Sequence, residues 1–279
     1  MASQWLGAQP RTAFVLSGGG SLGAVQVGML RALTEAGIKP DLVVGASVGA
    51  INGASYAADP TPEGVKRLEH VWRRLANRDP DIMPSSFLPL VVQFARKGES
   101  VHDQDRLETL LREEIPVRRF SDLQLPFQCV ATDMDTASEY WLADGELIPA
   151  ILASAALPAV FPPARLHGRT LIDGGILNEV HGHRAVELGA NELYILHVGH
   201  LNDARQRDLQ RAFDGATHAY WVARRRRYLE DLDRIPGNCT VHVLPTGSTP
   251  RLRFDDFSRT DLLTQDAYER TRDYLARRG

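Results

Sequence analysis

Cysteine is nearly absent from this chain, with only Cys129 and Cys239 among 279 residues. The two residues form no C-x-x-C pair, and no histidine stands at zinc-finger spacing from them. This scarcity argues against a disulfide framework and a structural zinc site, and it fits a reducing compartment. We predict no metal and no cofactor.

An apolar run long enough to cross a bilayer is also missing. Residues 12–30 are interrupted by five glycines and residues 147–164 by four prolines, so both are interpreted as core or as apolar surface near a site. The first twelve residues lack the charged and apolar regions of a secretory signal. We expect no transmembrane helix and predict a cytoplasmic location.

Positive charge is not in excess. Lys and Arg total 32 against 35 Asp and Glu, for a net charge of −3, which argues against a dedicated nucleic-acid-binding protein. Four consecutive arginines at residues 224–227 are interpreted as the solvated face of a long helix. Their contact with phosphate or anionic lipid headgroups is the alternative.

Short β-rich runs alternate with segments of helical periodicity, which is typical of a parallel sheet covered by helices. The length and the 43% hydrophobic content favour one α/β domain. The proline-rich segment 79–100 is predicted to be a mobile lid. Strands are predicted at residues 13–16, 42–44, 127–131, 139–142, 169–172, 193–198 and 240–244, and helices at 21–36, 48–58, 61–76, 103–114, 147–156, 204–232 and from 255 onward.

The segment Gly45-Ala46-Ser47-Val48-Gly49 follows a β-branched run and matches G-x-S-x-G, the pattern of a nucleophile on a sharp strand-to-helix turn. Side chains two positions either side of the serine would collide across such a turn, so Gly45 and Gly49 are needed there. The dipole of the following helix favours a developing alkoxide on Ser47. Ser47 is the candidate nucleophile, and an ordinary serine at a helix start is the alternative.

A second motif, Gly18-Gly19-Gly20-Ser21 with Gly23, follows a predicted strand and opens a helix. Its backbone N–H groups suit negative charge. The motif also matches G-x-G-x-x-G, but a dinucleotide site needs an acidic residue after the second strand, and Asp41 lies before that strand. We therefore predict an oxyanion hole.

The third motif is Asp173-Gly174-Gly175, at the end of a predicted strand. A serine nucleophile requires a base, and a carboxylate at the carboxyl end of another strand of the same sheet is well placed for that role. Asp173 is therefore the candidate base. An aspartate that only starts a tight turn is the alternative.

In this order, the three motifs resemble the patatin-like phospholipase family over about residues 12–188, as does the block from Ala153 to Pro163. The resemblance implies a three-layer α/β/α sandwich with a mainly parallel central sheet. It implies Ser47 as the nucleophile and Asp173 as the base of a Ser-Asp dyad. It also implies Gly18-Gly19-Gly20-Ser21 as the oxyanion hole.

Two positions depart from the family pattern. Leu22 stands where members often have Arg or Lys, and His181 where they often have Pro. The missing cation bears on preference for phosphate headgroups, because the backbone donors of the loop are still present. We divide the chain into a patatin-like catalytic core, residues 12–188, and an α/β continuation of the same domain, residues 189–279.

The motifs and the resemblance predict a serine acyl hydrolase that cleaves carboxylic esters of lipids through an acyl-enzyme. The expected partner is a phospholipid, lysophospholipid or other fatty-acyl ester, met in transient contact with a membrane surface. A lipid-binding module without turnover is one alternative. A Ser-His-acid triad is the other, since these histidines follow Asp173: His181, His183, His197, His200, His218 and His242.

Two smaller groups could suggest metal ligands. His181-Gly182-His183 is interpreted as a pair of solvated or capping histidines in a loop rather than a metal pair. Asp133 and Asp135 are interpreted as turn residues between two strands.

Overall fold

The computed structural model describes residues 11–77, 101–158, 160–178, 180–198, 212–247 and 256–278. The predicted lid at 79–100 lies outside them. The strands are β1 (Thr12–Leu16), β2 (Leu42–Ala46), β3 (Phe127–Asp133), β4 (Ser138–Leu142), β5 (Ala164–Leu166), β6 (Arg169–Asp173), β7 (Glu192–Leu196) and β8 (Thr240–Val243). The α-helices are α1 (Ala24–Glu35), α2 (Val48–Ala58), α3 (Pro62–Ala76), α4 (Val101–Glu114), α5 (Leu147–Ser154), α6 (Gly182–Glu187), α7 (Ala212–Asp233) and α8 (Thr260–Ala276).

All these strands belong to one sheet, in the order β5-β6-β3-β2-β1-β7-β8, with β4 paired to β3 outside this path. Strand β1 pairs in parallel with β2 and β7, β2 with β3, and β7 with β8. The pairs β3–β4, β3–β6 and β5–β6 are antiparallel. The sheet therefore has a parallel centre and an antiparallel end.

The centre of the sheet is buried on both faces, because alternate residues of one strand enter two different cores. In β1, Phe14 and Leu16 join the core that contains residues of α1, α2, α3, α5 and α8. Ala13 and Val15 join the other core, which contains residues of α6 and α7. Helices thus cover both faces, and the predicted α/β sandwich is confirmed.

The predicted strands and helices are present in the described residues, with differences at their ends. Strands β2, β3 and β6 run one or two residues past their predicted ends, to Ala46, Asp133 and Asp173, because pairing with neighbouring strands continues there. Strand β5 and helix α6 had no prediction, since each is too short for a clear periodicity. No helix in the described ranges combines the length and apolar character needed to cross a membrane.

The last third of the chain completes the same sheet and core. Strand β7 pairs with β1 along its whole length, and α8 packs on α1. Gly28 of α1 allows this approach, because a Cβ there would lie 2.1 Å from the Thr264 carbonyl oxygen. The Thr264 hydroxyl also donates a hydrogen bond of 3.2 Å to the Ala24 carbonyl. These contacts support our proposal that residues 189–279 continue the domain of residues 12–188.

An ion cluster of Glu139, His181, His183 and Asp231 joins β4, α6 and α7. The Nε2 atoms of His181 and His183 lie 3.4 and 3.5 Å from the Glu139 carboxylate. His183 Nδ1 pairs with Asp231. The His181 side chain is only 1% exposed and packs edge-on against Trp141. The interpretation of this pair as solvated or capping histidines is therefore wrong, because the folded chain brings two carboxylates to them.

The cluster shifts the pKa values of His183 and Glu139. The adjacent Asp231 and then Glu139 raise the pKa of His183 to about 9. Burial raises the pKa of Glu139, but His181 and His183 have the larger opposite effect and bring it below its ordinary value. Charged His183 therefore stabilises the folded chain at neutral pH.

Asp133 forms the predicted turn between β3 and β4, because its Oδ1 accepts hydrogen bonds from the backbone of Asp135 and Thr136. Its other carboxylate oxygen pairs with Arg169. In the arginine run, Arg226 and Arg227 are exposed, as expected for a solvated helix face, and Arg226 donates to Glu230 at 2.6 Å.

We expect Gly28→Ala to destabilise the fold. Alanine is favoured over glycine within a helix by about 1 kcal/mol, but overpacking against a backbone carbonyl costs about 1–3 kcal/mol. The net loss should appear in urea unfolding. The matched control is Gly237→Ala, where no atom lies within 4 Å of the new Cβ. Stabilisation by Gly28→Ala would show that α1 and α8 are not in this close contact.

Stability should fall between about pH 6.5 and pH 9 through His183. A group with a raised folded pKa contributes fully below its unfolded pKa and loses that contribution as pH rises through the folded pKa. Solvent reaches 28% of this side chain, so we expect a loss of about 1–2 kcal/mol. Unfolding free energies across this range should fall less in His183→Gln. The same pH slope in both proteins would contradict the assignment.

Candidate active site

Ser47 occupies the sharp turn between β2 and α2, with φ 55° and ψ −123°. Such backbone geometry costs a residue with a side chain about 1–3 kcal/mol and persists only where the surroundings enforce it. A Cβ on Gly45 would lie 2.3 Å from the Gly49 carbonyl oxygen, and a Cβ on Gly49 would lie 2.4 Å from that of Leu16. Main chain thus packs on main chain around the turn, which is why both positions are glycine.

The Ser47 hydroxyl is not used as a helix cap. Its side chain makes no capping hydrogen bond to α2, although a serine at this position usually caps the first turn. The residue is half-buried at the amino terminus of α2. The alternative of an ordinary capping serine therefore does not describe its geometry.

The glycine loop, residues 17–23, leads from β1 into α1. Gly19 and Gly20 have φ of 154° and 58°, in the region that favours glycine. A Cβ on Gly19 would lie 2.4 Å from Val198, and one on Gly23 would lie 2.5 Å from Val48, the residue that follows Ser47. The loop is therefore packed against the serine turn, and only its two positive-φ glycines are half-buried rather than buried.

Asp173 is the last residue of β6 and is only 2% exposed. Its Oδ1 accepts a hydrogen bond of 2.7 Å from the backbone of Gly175, and its carbonyl accepts one of 3.0 Å from the Thr132 hydroxyl. A Cβ on Gly174 would lie 2.2 Å from the Val130 carbonyl oxygen. The turn after Asp173 therefore lies directly on strand β3.

The pairing of β3 brings the regions of Ser47 and Asp173 to one edge. Val130 pairs with Ala46 of β2 on one side and with β4 on the other. Strand β4 pairs with β3 from Cys129 to Asp133 and so occupies this second edge. Strand β6 also pairs with β3, from Ala131 to Asp133, and therefore lies on the first edge, where β2 ends. Asp173 pairs with Ala131, one position beyond the Ala46 pair. Ser47 directly follows Ala46, so the two candidate residues stand at successive positions along this edge.

Helix α5 and the residues after it contact both candidate residues. The Ser154 hydroxyl accepts a hydrogen bond of 3.0 Å from the Ser47 backbone N–H, and the Ala156 carbonyl accepts one of 3.0 Å from the Asp173 backbone. Ser154 is fully buried. The sequence predicted this block to be core or apolar surface near a site and part of the family resemblance, but it assigned no contact to Ser154. The feature of the sequence that indicated these contacts was the run of small residues in the block, because small residues permit close approach of two backbone segments.

The histidines that follow Asp173 have different environments. His181 and His183 belong to the ion cluster, and His242 Nε2 lies 3.1 Å from Glu192. His197 directly follows β7 and is 2% exposed. Burial lowers the pKa of His197 to about 4, opposed by a hydrogen bond with the Leu244 backbone. His200 lies outside the described residues, and the side chain of His218 is not described.

The two groups that could suggest metal ligands, His181 with His183 and Asp133 with Asp135, have other contacts in the described residues. Within the described parts of the chain, no group of three or more His, Cys, Asp or Glu side chains could hold a metal ion. The charged pairs His183–Asp231 and Arg169–Asp133 instead join separate elements of the fold. The acidic groups beside His181 and His183 are Glu139 and Asp231, and both take part in ion pairs with these histidines.

Comparison with known proteins gives a consistent family assignment. Residues 14–181 match the model of the family described as patatin-like phospholipase. Patatin-like phospholipase domain-containing protein 7 of Rattus norvegicus is 30% identical over 189 residues, which are 67% of this chain but 13% of that protein. An uncharacterized NTE family protein of Mycobacterium bovis is 32% identical over 171 residues, which are 61% of this chain and 44% of that protein.

A solved structure shares the fold. The complex of human GIVD cytosolic phospholipase A2 with methyl gamma-linolenyl fluorophosphonate and terbium chloride superimposes with a TM-score of 0.50 at 12% identity. The match covers 99% of this chain and 60% of that one. The family model spans more than half of the chain and includes the serine turn, the glycine loop and Asp173. This chain belongs to the patatin-like phospholipase family.

Proposed function

We propose that the chain is a lipid acyl hydrolase in which Ser47 is the nucleophile and Asp173 is the base. The observation that carries the proposal is the shared edge of β3, where β2 delivers Ser47 and β6 delivers Asp173 at successive positions. The strained φ of Ser47 and its uncapped side chain add support, because such strain is concentrated at functional sites.

In the proposed reaction, Ser47 Oγ attacks the carbonyl carbon of a fatty-acyl ester while its proton moves to Asp173. The N–H groups of Gly18-Gly19-Gly20-Ser21 stabilise the oxyanion. The C–O bond to the alcohol then breaks, and the alcohol takes the proton from Asp173. Water, deprotonated by Asp173, releases the acid from the acyl-enzyme and regenerates Ser47.

A free carboxylate is a weak base toward a serine hydroxyl, since its ordinary pKa is about 3.9. The site therefore has to lower the cost of forming the alkoxide. The amino-terminal dipole of α2 and the donors of the glycine loop favour negative charge on Ser47 and on the substrate oxygen. Burial of Asp173 keeps water from competing for the proton.

Phospholipids, lysophospholipids and other fatty-acyl esters are the proposed substrates, and the family membership supports this class. Such esters are held in membranes or micelles, so we also propose transient contact with a lipid surface. The scarcity of cysteine supports a proposed cytoplasmic location.

We expect Ser47→Ala and Asp173→Asn each to lower the turnover of a chromogenic fatty-acyl ester by at least about 1,000-fold. Each variant removes one atom or one charge with little change of side-chain volume. The circular dichroism spectrum and the melting temperature should therefore be unchanged. A fluorophosphonate probe should label wild-type protein and not Ser47→Ala. The controls are Ser258→Ala and Asp135→Asn, at exposed positions that carry no proposed role in the reaction.

The same assays separate the alternatives. Full turnover in either site variant would exclude the dyad, and a folded wild-type protein that the probe does not label would favour a lipid-binding module. His197→Gln tests the triad, because His197 is the buried histidine at the carboxyl end of the central strands. The dyad requires this variant to keep its turnover, whereas loss of turnover with an unchanged fold would favour the triad.

Ser154→Ala should lower kcat by about fivefold with little change of KM. The substitution removes the acceptor of the Ser47 N–H, and one such hydrogen bond contributes about 1 kcal/mol. Ser55→Ala is the matched control, since the Ser55 hydroxyl bonds to the Ile51 carbonyl of its own helix. Equal kcat in both variants would remove Ser154 from the site.

A further inference from the structure

Three buried side chains form a continuous amide network behind the glycine loop. Trp72 Nε1 donates to Asn52 Oδ1 at 3.0 Å, and Asn52 Nδ2 donates to Gln26 Oε1 at 2.9 Å. Gln26 and Asn52 are 0% exposed, and Trp72 is 3% exposed. The network connects α3, α2 and α1 in the core.

The network ends on the backbone at both ends of the glycine loop. Asn52 Nδ2 also donates to the Gly23 carbonyl at 3.1 Å. Gln26 Nε2 donates to the Ser17 carbonyl at 2.7 Å and to the Leu196 carbonyl, at the end of β7, at 3.0 Å. The three loop glycines therefore lie between the Ser17 and Gly23 carbonyl groups, which accept hydrogen bonds from Gln26 and Asn52.

Every hydrogen-bonding position of the two amide nitrogens is used. Each NH₂ group donates twice, and each amide oxygen accepts once, from Trp72 or from Asn52. A flipped amide would place donors against donors, so the arrangement has a single orientation. A fully satisfied buried network of this kind rigidifies the backbone that it contacts.

The network also connects the loop to the serine turn. Asn52 lies on α2, five residues after Ser47, and the helix begins at the residue directly after that serine. A Cβ on Gly49 of the same helix would lie 2.5 Å from the Ser17 carbonyl oxygen. Movement of the loop relative to Ser47 would therefore break hydrogen bonds at both of its ends.

We propose that Gln26 and Asn52 are positioning residues that hold the N–H groups of Gly18-Gly19-Gly20-Ser21 at a fixed distance from Ser47. The proposal rests on the function proposed above. The amides contact neither Ser47 nor the substrate position directly and act through the loop. Donors positioned in advance stabilise the oxyanion without reorganisation, so their displacement affects the transition state more than substrate binding.

The test is Gln26→Met, which keeps the length of the side chain and removes both donors. We expect kcat to fall by about 10- to 100-fold while KM changes less than about threefold. Backbone amides of residues 18–23 should exchange with deuterium faster, whereas exchange in β1 and β2 should stay slow. This exchange readout does not depend on ester hydrolysis.

Gln26→Glu is the conservative variant and also serves if Gln26→Met does not fold. The introduced carboxyl group would donate to one of the two carbonyls when protonated and to neither when ionised. The kcat of this variant relative to wild type should therefore fall as pH rises and the carboxyl ionises. The control for removal of a buried polar atom is Thr271→Val, because the fully buried Thr271 hydroxyl has no partner in the described residues.

The outcomes separate the two proposals. Unchanged kcat and unchanged loop exchange in a folded Gln26→Met variant would overturn the positioning role, as would a flat relative pH profile for Gln26→Glu. Faster loop exchange in Gln26→Met, with no ester turnover in wild-type protein, would instead support the loop restraint and contradict the proposed function. A kcat loss together with faster exchange supports both.

Discussion

The structure depends on one edge of strand β3, which two other strands share. Strand β2 runs parallel to its first half, and β6 runs antiparallel to its second half on the same side. Where β2 stops, the chain turns at Ser47 into α2; where β6 stops, it turns at Asp173. Residues that are 126 positions apart in the sequence thereby become neighbours along a single strand. The ladder hydrogen bonds of β3 fix this register, because a slip by one residue would reverse which side chains face each core.

Close backbone packing is the second constraint, and it explains glycines in two of the three motifs, the serine turn and the turn after Asp173. Gly45 and Gly49 let β2, α2 and the end of β1 touch at the serine turn, while Gly174 lets the turn after Asp173 rest on β3. Any side chain at these positions would meet a carbonyl oxygen rather than a movable group. The glycines of these motifs are therefore required for packing as well as for the proposed chemistry. They allow the backbone segments that carry Ser47 and Asp173 to pack closely on β1, α2 and β3.

Two groups of buried polar side chains in the described residues differ in character. The amide network of Gln26 and Asn52 is neutral, fully hydrogen-bonded and directed at the glycine loop. The ion cluster around Glu139 carries charge and joins α6 and α7 to the antiparallel end of the sheet. A neutral network loses little to desolvation, whereas the ion cluster is favourable only because each charge has an opposite charge beside it. The first donates hydrogen bonds to both ends of the glycine loop, and the second connects secondary-structure elements.

Sequence alone determined the α/β class, most strands and helices, and the three motifs, because these depend on local periodicity and on glycines with a clear steric purpose. Local pattern could not supply the contacts of Ser154, the burial of His181 or the hydrogen bonds of Gln26, since each depends on a partner far away in the chain. It also placed the ends of β2 and β6 too early, because cross-strand pairing decides where a strand stops. Tertiary structure alone decided that Ser47 and Asp173 follow the same edge of β3, since that neighbourhood arises from long-range strand pairing.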